Sequence, residues 1–328
     1  MSVTMRDVAA LAGVSVKTVS RVVNLEPHIR PKTLRRVRAA IEELGWLPNT
    51  SARTLRTGRT GIIGVGVPDL RQPDLAALVN VLVEEIARNG MHAAVEPTHD
   101  RPERLRNLLE ARGETFDGIV TIGPIAPELM SSMRATEPLV SIQAAIVGAV
   151  DGVETDHVEA ASLVARHLAV MGRSRPVLLG YERVTLAGQA MLRALRAEGI
   201  GPPLATDGRV RTRSEGFEAA RHAVATWPQT DAIVCARDTA ALGALAALAA
   251  DGVCVPDEVA VIGNGALDDG RFTTPSLTTV SPGRARMARA AMDLLTERLS
   301  GAADAQPRRT LTPVELVRRE STLGPGLP

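Results

Sequence analysis

The sequence predicts a small all-α N-terminal domain carrying a helix-turn-helix, followed by a larger α/β body with parallel sheets. Three observations carry this. Residues 4–23 read as a helix, a glycine turn and a second helix. Charge is split: residues 1–60 hold 11 Lys+Arg against 4 Asp+Glu, while the rest holds 27 against 33, within a chain that nets only +1. From residue 61 to 323, short apolar runs alternate with amphipathic stretches. That alternation is the pattern of strands separated by helices, and hence of parallel sheets.

In the first helix Val8, Leu11 and Ala12 recur at helical spacing, and Thr4 with Asp7 three residues on resembles a capping box. Gly13 supplies the turn and Ser15 can cap the second helix. Val19, Val22 and Val23 face inward, which leaves Val16, Lys17, Ser20 and Arg21 pointing out, where a recognition helix meets base edges and phosphates. A third helix runs from about Pro31 to Leu44. Proline suits its first turn, Leu34, Val37, Ile41 and Leu44 form its inner stripe, and Gly45 ends it. Lys32, Arg35, Arg36 and Arg38 are left for solvent or phosphate, and Trp46 with Leu47 closes the small core. A basic end on a mildly acidic body is the electrostatic footprint of a nucleic-acid reader with a second task.

Residues 48–59 follow, with Asn49 able to cap a short helix and Gly58 able to end it. The segment is shorter than the roughly 12–15 residues at which an isolated helix holds in water. Two readings of it stand open. It is a flexible linker, or it packs on DNA and presents Leu55, between Arg53 and Arg56, as a wedge for the minor groove.

The body offers strand candidates at 62–67, 118–122, 139–142, 177–179, 232–235 and 259–262, with helical patterns at 75–88, 160–171, 187–198, 214–227 and 239–251. Its length suits two lobes better than one. Ligands in such sheets bind at the carboxyl ends of the strands. That rule selects Asp69, Arg71, Gln72, Asp74, Gly123, Gln143, Arg237, Asp238, Asn264 and Gly265.

Other chemistry finds little support. Gly64-Val65-Gly66 invites a dinucleotide fingerprint, but Asp69 stands where the third glycine belongs. No phosphate loop, nucleophile elbow or catalytic triad is present. Cys235 and Cys254 read as isolated, buried small residues, and the six histidines show no tight ligand spacing. The reading is therefore of a non-enzymatic chain without cofactor or metal. No apolar run reaches membrane-spanning length and no signal peptide precedes Met5, so the expectation is cytoplasmic and without membrane contact. The Gly- and Pro-rich tail at 324–328 does not suit a coiled coil.

The chain resembles the LacI/GalR (lactose/galactose repressor) family of bacterial transcription regulators. The resemblance rests on Asp7-Val8-Ala9, Ala12-Gly13-Val14-Ser15, the 18–24 run ending in Asn24, Glu43-Leu44-Gly45-Trp46, Pro48-Asn49 and the run from Ala52 to Gly58. It extends through Val255-Pro256-Asp257-Glu258-Val259, the 275–280 run and the 317–322 run. It implies an operator-binding head at 1–48, a hinge helix or linker at 49–59 and a periplasmic-binding-protein-like body of two parallel-sheet lobes at 60–323. The N-lobe would take about 60–154 and 283–311, the C-lobe about 155–282 and 312–323, with crossings near Thr155, Val280 and Leu311. It further implies that Val16 and Lys17 select operator bases. Ser15, Thr18, Ser20, Arg21 and Asn24 then touch backbone and bases, and Leu55 inserts at the operator centre beside Ala52. Thr4, His28, Arg30 and Asn49 complete the DNA-facing set; Arg30 stands where the family has a small capping residue.

Val16 offers only apolar contact, for example to a thymine methyl, while Lys17 can donate to guanine. Each wrong base pair costs on the order of 1–3 kcal/mol, so one half-site is too little and a homodimer on a near-palindromic double-stranded operator is expected. An effector would bind between the lobes, on Asp69, Arg71, Asp74, Gln143, Thr185, Arg237, Asp238 and Asn264. The sequence departs here from sugar-binding members: the aromatic near Asp74, the arginine near Thr185 and the aspartates near Asn264 are missing, and Arg237 replaces an asparagine. Two arginines and fewer carboxylates point to an anionic effector, against the alternatives of a ligand-free cleft or of a small-molecule binding protein with no regulatory role on DNA.

Overall fold

The computed structural model describes residues 3–23, 29–46, 58–130, 133–134, 136–143, 149–201, 204–205, 210–302, 304 and 306–324. Asn24, His28, Leu47, Asn49, Ala52 and Leu55 lie outside these residues, and the hinge expectation with them. The chain divides into two compact units, Met1–Thr60 and Gly61–Pro328.

The first unit holds α1 (Met5–Ala12), α2 (Val16–Val23) and α3 (Pro31–Leu44). Its core is Val8, Ala9, Ala12, Val19, Val22, Val37, Ala40 and Trp46, with Val23, Leu34, Ile41 and Leu44 half-buried against it. Leu11 is not part of it: the side chain is 46% exposed, and Ala9 takes the inward place.

The second unit is built on two six-stranded sheets. Its strands are β1 (Ile62–Val67), β2 (His92–Pro97), β3 (Gly118–Ile122), β4 (Leu139–Ile142), β5 (Asp151–Thr155), β6 (Pro176–Leu179), β7 (Leu204–Ala205), β8 (Ala232–Cys235), β9 (Ala260–Asn264), β10 (Thr278–Ser281), β11 (Arg309–Thr312) and β12 (Glu315–Val317). The helices are α4 (Pro73–Arg88), α5 (Pro102–Glu110), α6 (Pro127–Met130), α7 (His157–Val170), α8 (Leu186–Ala197), α9 (Arg213–Thr226), α10 (Asp238–Ala250), α11 (Arg284–Ser300) and α12 (Glu320–Leu323).

The first sheet runs β11-β5-β4-β3-β1-β2 and is parallel throughout. The second runs β12-β10-β9-β8-β6-β7 and is parallel except for β12. Helices cover both faces of each, which is why the central strands read as continuous apolar runs. α4 and α11 pack on one face of the first sheet, α5 and α6 on the other. α9 and α10 cover one face of the second sheet, α7 and α8 the other.

The chain passes between the sheets three times: after β5, after β10 and after β11. The passages lie side by side. The Asp156 N–H donates to the Thr312 carbonyl at 3.3 Å. A Cβ on Gly283, which has φ +68°, would stand 3.1 Å from the Pro313 carbonyl oxygen. Gly64 and Gly66 are likewise packing residues, since side chains there would meet Leu108 at 3.1 and 2.9 Å.

Candidate nucleic-acid interface and ligand cleft

Capping sets the geometry of the first unit. The Thr4 backbone N–H and hydroxyl donate to the Asp7 carboxylate at 2.8 and 2.7 Å, and this holds the Asp7 carboxyl below its ordinary range. The Thr18 N–H donates to the Ser15 hydroxyl at 3.1 Å, so Ser15 starts α2. Ser15 and Thr18 hydroxyls also lie 2.9 Å apart.

Between the two helices Gly13 adopts φ +60°. The Arg36 guanidinium donates there to the carbonyls of Ala12 and, at 3.2 Å, Gly13. Arg36 is thus not left for phosphate: it ties α3 to the end of α1, satisfying carbonyls that a helix C-terminus leaves open. Arg30 is exposed at the start of α3 and makes no side-chain cap.

With Val19 and Val22 fully buried, α2 cannot rotate, and Val16 and Lys17 are held outward. Ser20 and Arg21 are half-buried on its flank. This face offers one methyl-bearing side chain, one ammonium, one hydroxyl and one guanidinium over a unit rich in cations, which is what groove recognition requires.

In the second unit the carboxyl ends of the strands of both sheets border two adjoining cavities of ≈ 500 and ≈ 360 Å³. Leu75, Gln143, Arg211 and Arg237 line both. Gln143 follows β4 with φ +56°, an uncommon conformation for a residue with a side chain, and its amide donates to the Thr155 hydroxyl at 3.3 Å. Arg237 follows β8 and reaches across from the second-sheet lobe. Its guanidinium pairs with Asp74 in the first turn of α4 and donates to the Gln72 side chain at 3.4 Å.

Asp74, Thr185 and Asn264 line the smaller cavity as well. The Thr185 hydroxyl is already engaged, accepting from the Gly188 N–H at 3.1 Å and donating to the Glu182 carbonyl at 2.8 Å.

Three expected residues lie elsewhere. Asp69 and Arg71 pair with each other at 2.8 Å outside both cavity walls, the arginine side chain 86% exposed. Asp238 is buried beneath the cleft floor, where it accepts from the Thr279 hydroxyl at 2.6 Å and the Leu267 N–H at 2.7 Å. Burial pushes its carboxyl up, opposed by those two hydrogen bonds and by Arg284 and Arg319. Asp238 fixes the turn after β9, in which Gly265 and Ala266 have φ +143° and +50°.

The smaller cavity also contains residues that sequence reasoning missed: His157, Tyr181, Arg211 and Arg284. Tyr181 is the one tyrosine of the chain, so an aromatic face is present after all. Burial, Cys235 and Asp238 push its phenol up against the effect of a hydrogen bond with Asn264. Burial pulls the His157 imidazole down, with Arg309 acting the same way and Asp156 opposing. Arg284 was signalled only by Pro282-Gly283 closing a strand, a pattern shared with any surface turn.

Elsewhere Cys235 is buried as expected, whereas Cys254 is exposed. Among the described residues no helix is long and apolar enough to cross a membrane.

Comparison with known proteins follows the same division. Residues 4–49 match the bacterial regulatory proteins of the lacI family, and residues 165–322 match a periplasmic binding protein-like domain. The HTH-type transcriptional repressor PurR of Mannheimia succiniciproducens is 28% identical over 97% of this chain and 98% of its own length. A structure from Sanguibacter keddieii, described as a transcriptional regulator of the LacI family, is 35% identical with a TM-score of 0.71, covering 80% of this chain and 99% of that one. The lac repressor dimer bound to operator and the anti-inducer ONPF is 25% identical with a TM-score of 0.76, covering 98% and 99%. With a helix-turn-helix head, an α/β body of parallel sheets and these relatives, the chain belongs to the LacI family of bacterial transcription regulators.

Proposed function

We propose that this regulator is a homodimeric repressor that works in the cytoplasm, and that a small molecule in the cleft between its two sheets sets its operator affinity. It acts by binding, not by turnover. The observation that carries the DNA side is α2: one face is locked by Val19 and Val22, and the other projects Val16 and Lys17. Ser15, Thr18, Ser20 and Arg21 flank that pair, and Thr4 and Arg30 stand at the helix starts on either side. The family resemblance adds Asn24, His28, Asn49, Ala52 and Leu55 to the proposed DNA contacts.

The lac repressor relative is a dimer on its operator, and two such heads supply the readout a genome demands. Gln143, Arg237 and Asn264 are the effector contacts kept from the strand-end rule, Thr185 is kept from the resemblance, and Asp74 takes part as the partner of Arg237. A coupling of about 1–3 kcal/mol between cleft and hinge is enough to change occupancy 5- to 150-fold.

The test is selection of a preferred duplex from a random pool, followed by gel-shift titration. A near-palindromic site is expected, with Lys17→Ala relaxing the preference at one base pair per half-site and Leu55→Ser weakening binding overall. Equal affinity for selected and random duplexes overturns the reading. The Arg237–Asp74 pair across the cleft favours a second reading, a regulator that needs no ligand. An operator affinity that no cleft variant changes would support it.

A further inference from the structure

The smaller cavity is electrostatically unfinished. Three guanidiniums line it, from Arg211, Arg237 and Arg284, against two carboxylates, from Asp74 and Glu182, with His157 held toward its neutral form by burial. Asp74 is committed to Arg237. The next carboxylate, Asp238, has one oxygen on the Thr279 hydroxyl and the other on the Leu267 N–H.

Arg284 is left without an ion pair: Asp74 and Asp238 act on it only through space, against the burial that disfavours its charge. Its Nη2 is buried and has no hydrogen-bond partner. It lies in contact range of Gly265, 3.7 Å from where a Cβ on that residue would stand. A buried guanidinium N–H without a partner is costly, as is a cation in the first turn of a helix, where Arg284 opens α11. A neutral ligand could accept that hydrogen bond through a hydroxyl or carbonyl oxygen but would leave the cation uncompensated. An oxyanion would remove both, because a planar guanidinium matches a carboxylate or phosphate group.

We infer that the effector is a small organic anion whose carboxylate or phosphate group is held by Arg284 together with Arg237, while its body lies against Tyr181. Asp74 is then a built-in stand-in for that group: it occupies Arg237 across the empty cleft and yields it when the ligand arrives. The cavity of ≈ 360 Å³ is at the small end of ligand sites, which fits a compact metabolite. The inference rests on the cleft being the effector site.

The experiment is thermal unfolding of the full chain at constant ionic strength, titrated with inorganic phosphate, malonate or uncharged glucose. Binding to the folded state raises Tm in a saturable manner. Phosphate or malonate is expected to give that shift and glucose none; which anion is stronger tells a phosphate site from a carboxylate site. Arg284→Met is expected to abolish the shift. Asp74→Asn, which removes the competing carboxylate, is expected to lower the half-saturating anion concentration roughly tenfold. The opposite signs separate a ligand contact from a folding defect.

No saturable anion shift in the wild type, a shift that survives Arg284→Met, or an equal shift with glucose overturns the inference. A chain that discriminates its operator but lacks the anion response sinks this inference alone. One that responds to anions but binds all duplexes equally sinks the DNA reading instead.

Discussion

At Asp151 burial and charge pull in opposite directions. Its side chain is fully buried, which by itself raises the carboxyl. Arg298 donates to it twice at 2.8 Å, the Arg308 N–H at 2.7 Å and the Arg308 guanidinium at 3.2 Å. These donors win and hold the carboxyl below its ordinary value of 3.8. Between the folded and unfolded values the unfolded chain binds more protons, so this contribution is fully present above pH 3.8 and is lost as pH falls through the folded value. The urea midpoint should therefore drop at acid pH, and Asp151→Asn should lower the unfolding free energy at neutral pH by about 3–5 kcal/mol, because the buried Arg298 charge loses its carboxylate. The Arg237–Asp74 pair differs: its side chains are 30% and 26% exposed, and solvent screens it. Arg237→Ala should change stability by less than about 1 kcal/mol in the same assay. Residue types do not reveal this difference. Arg36 and Asp238 were misread for the same reason: their partners, Gly13 and Thr279, lie 23 and 41 residues away.

Among the elements, α9 and α10 meet closest. A Cβ on Gly243 would stand 1.9 Å from the Arg213 carbonyl oxygen, and one on Gly216 would stand 2.2 Å from the Ala240 carbonyl oxygen. Alanine is favoured over glycine in a helix by about 1 kcal/mol, but here the backbones must part. Gly243→Ala should thus destabilise by about 1–3 kcal/mol in urea unfolding, where propensity alone predicts a gain. The same close approach explains why α10 reads as apolar all round: it is buried on nearly every side. Elements legible in the sequence are those with full apolar runs, such as β1, β3 and β8. The strand β2 was missed because its side chains are half-buried at a sheet edge, and β11 and β12 because they are short and mostly exposed or half-buried. The helix α11 was missed although Met287, Ala288, Ala291, Met292, Leu294 and Leu295 form a regular helical stripe, with Arg286 and Arg289 on the exposed face.

For the whole molecule the informative quantity is the charge split, since net charge conceals it. Phosphate neutralisation releases counterions, and the loss of affinity with salt reports how many contacts form. If two heads make roughly 6–10 phosphate contacts, operator affinity should fall about 10³- to 10⁵-fold between about 50 and 200 mM salt. A flat response in a filter-binding series would contradict a cationic head on DNA. Of the three side-by-side passages between the sheets, those after β5 and β10 border the same cavity as the Arg237–Asp74 contact, through Thr155, Pro282 and Arg284.

The sequence by itself determined the helix-turn-helix, its outward residues, the α/β alternation and the family, because these depend on local periodicity, capping and contiguous motifs. Only the tertiary structure decided which charges are spent inside the fold and which face the cleft. Asp238 lies one residue from Arg237, yet one is buried beneath the floor and the other spans the gap. Arg284 becomes a cleft residue through a chain crossing that brings α11 back to the first sheet. Burial and long-range pairing set those outcomes, and neither is a property of neighbouring residues in the chain.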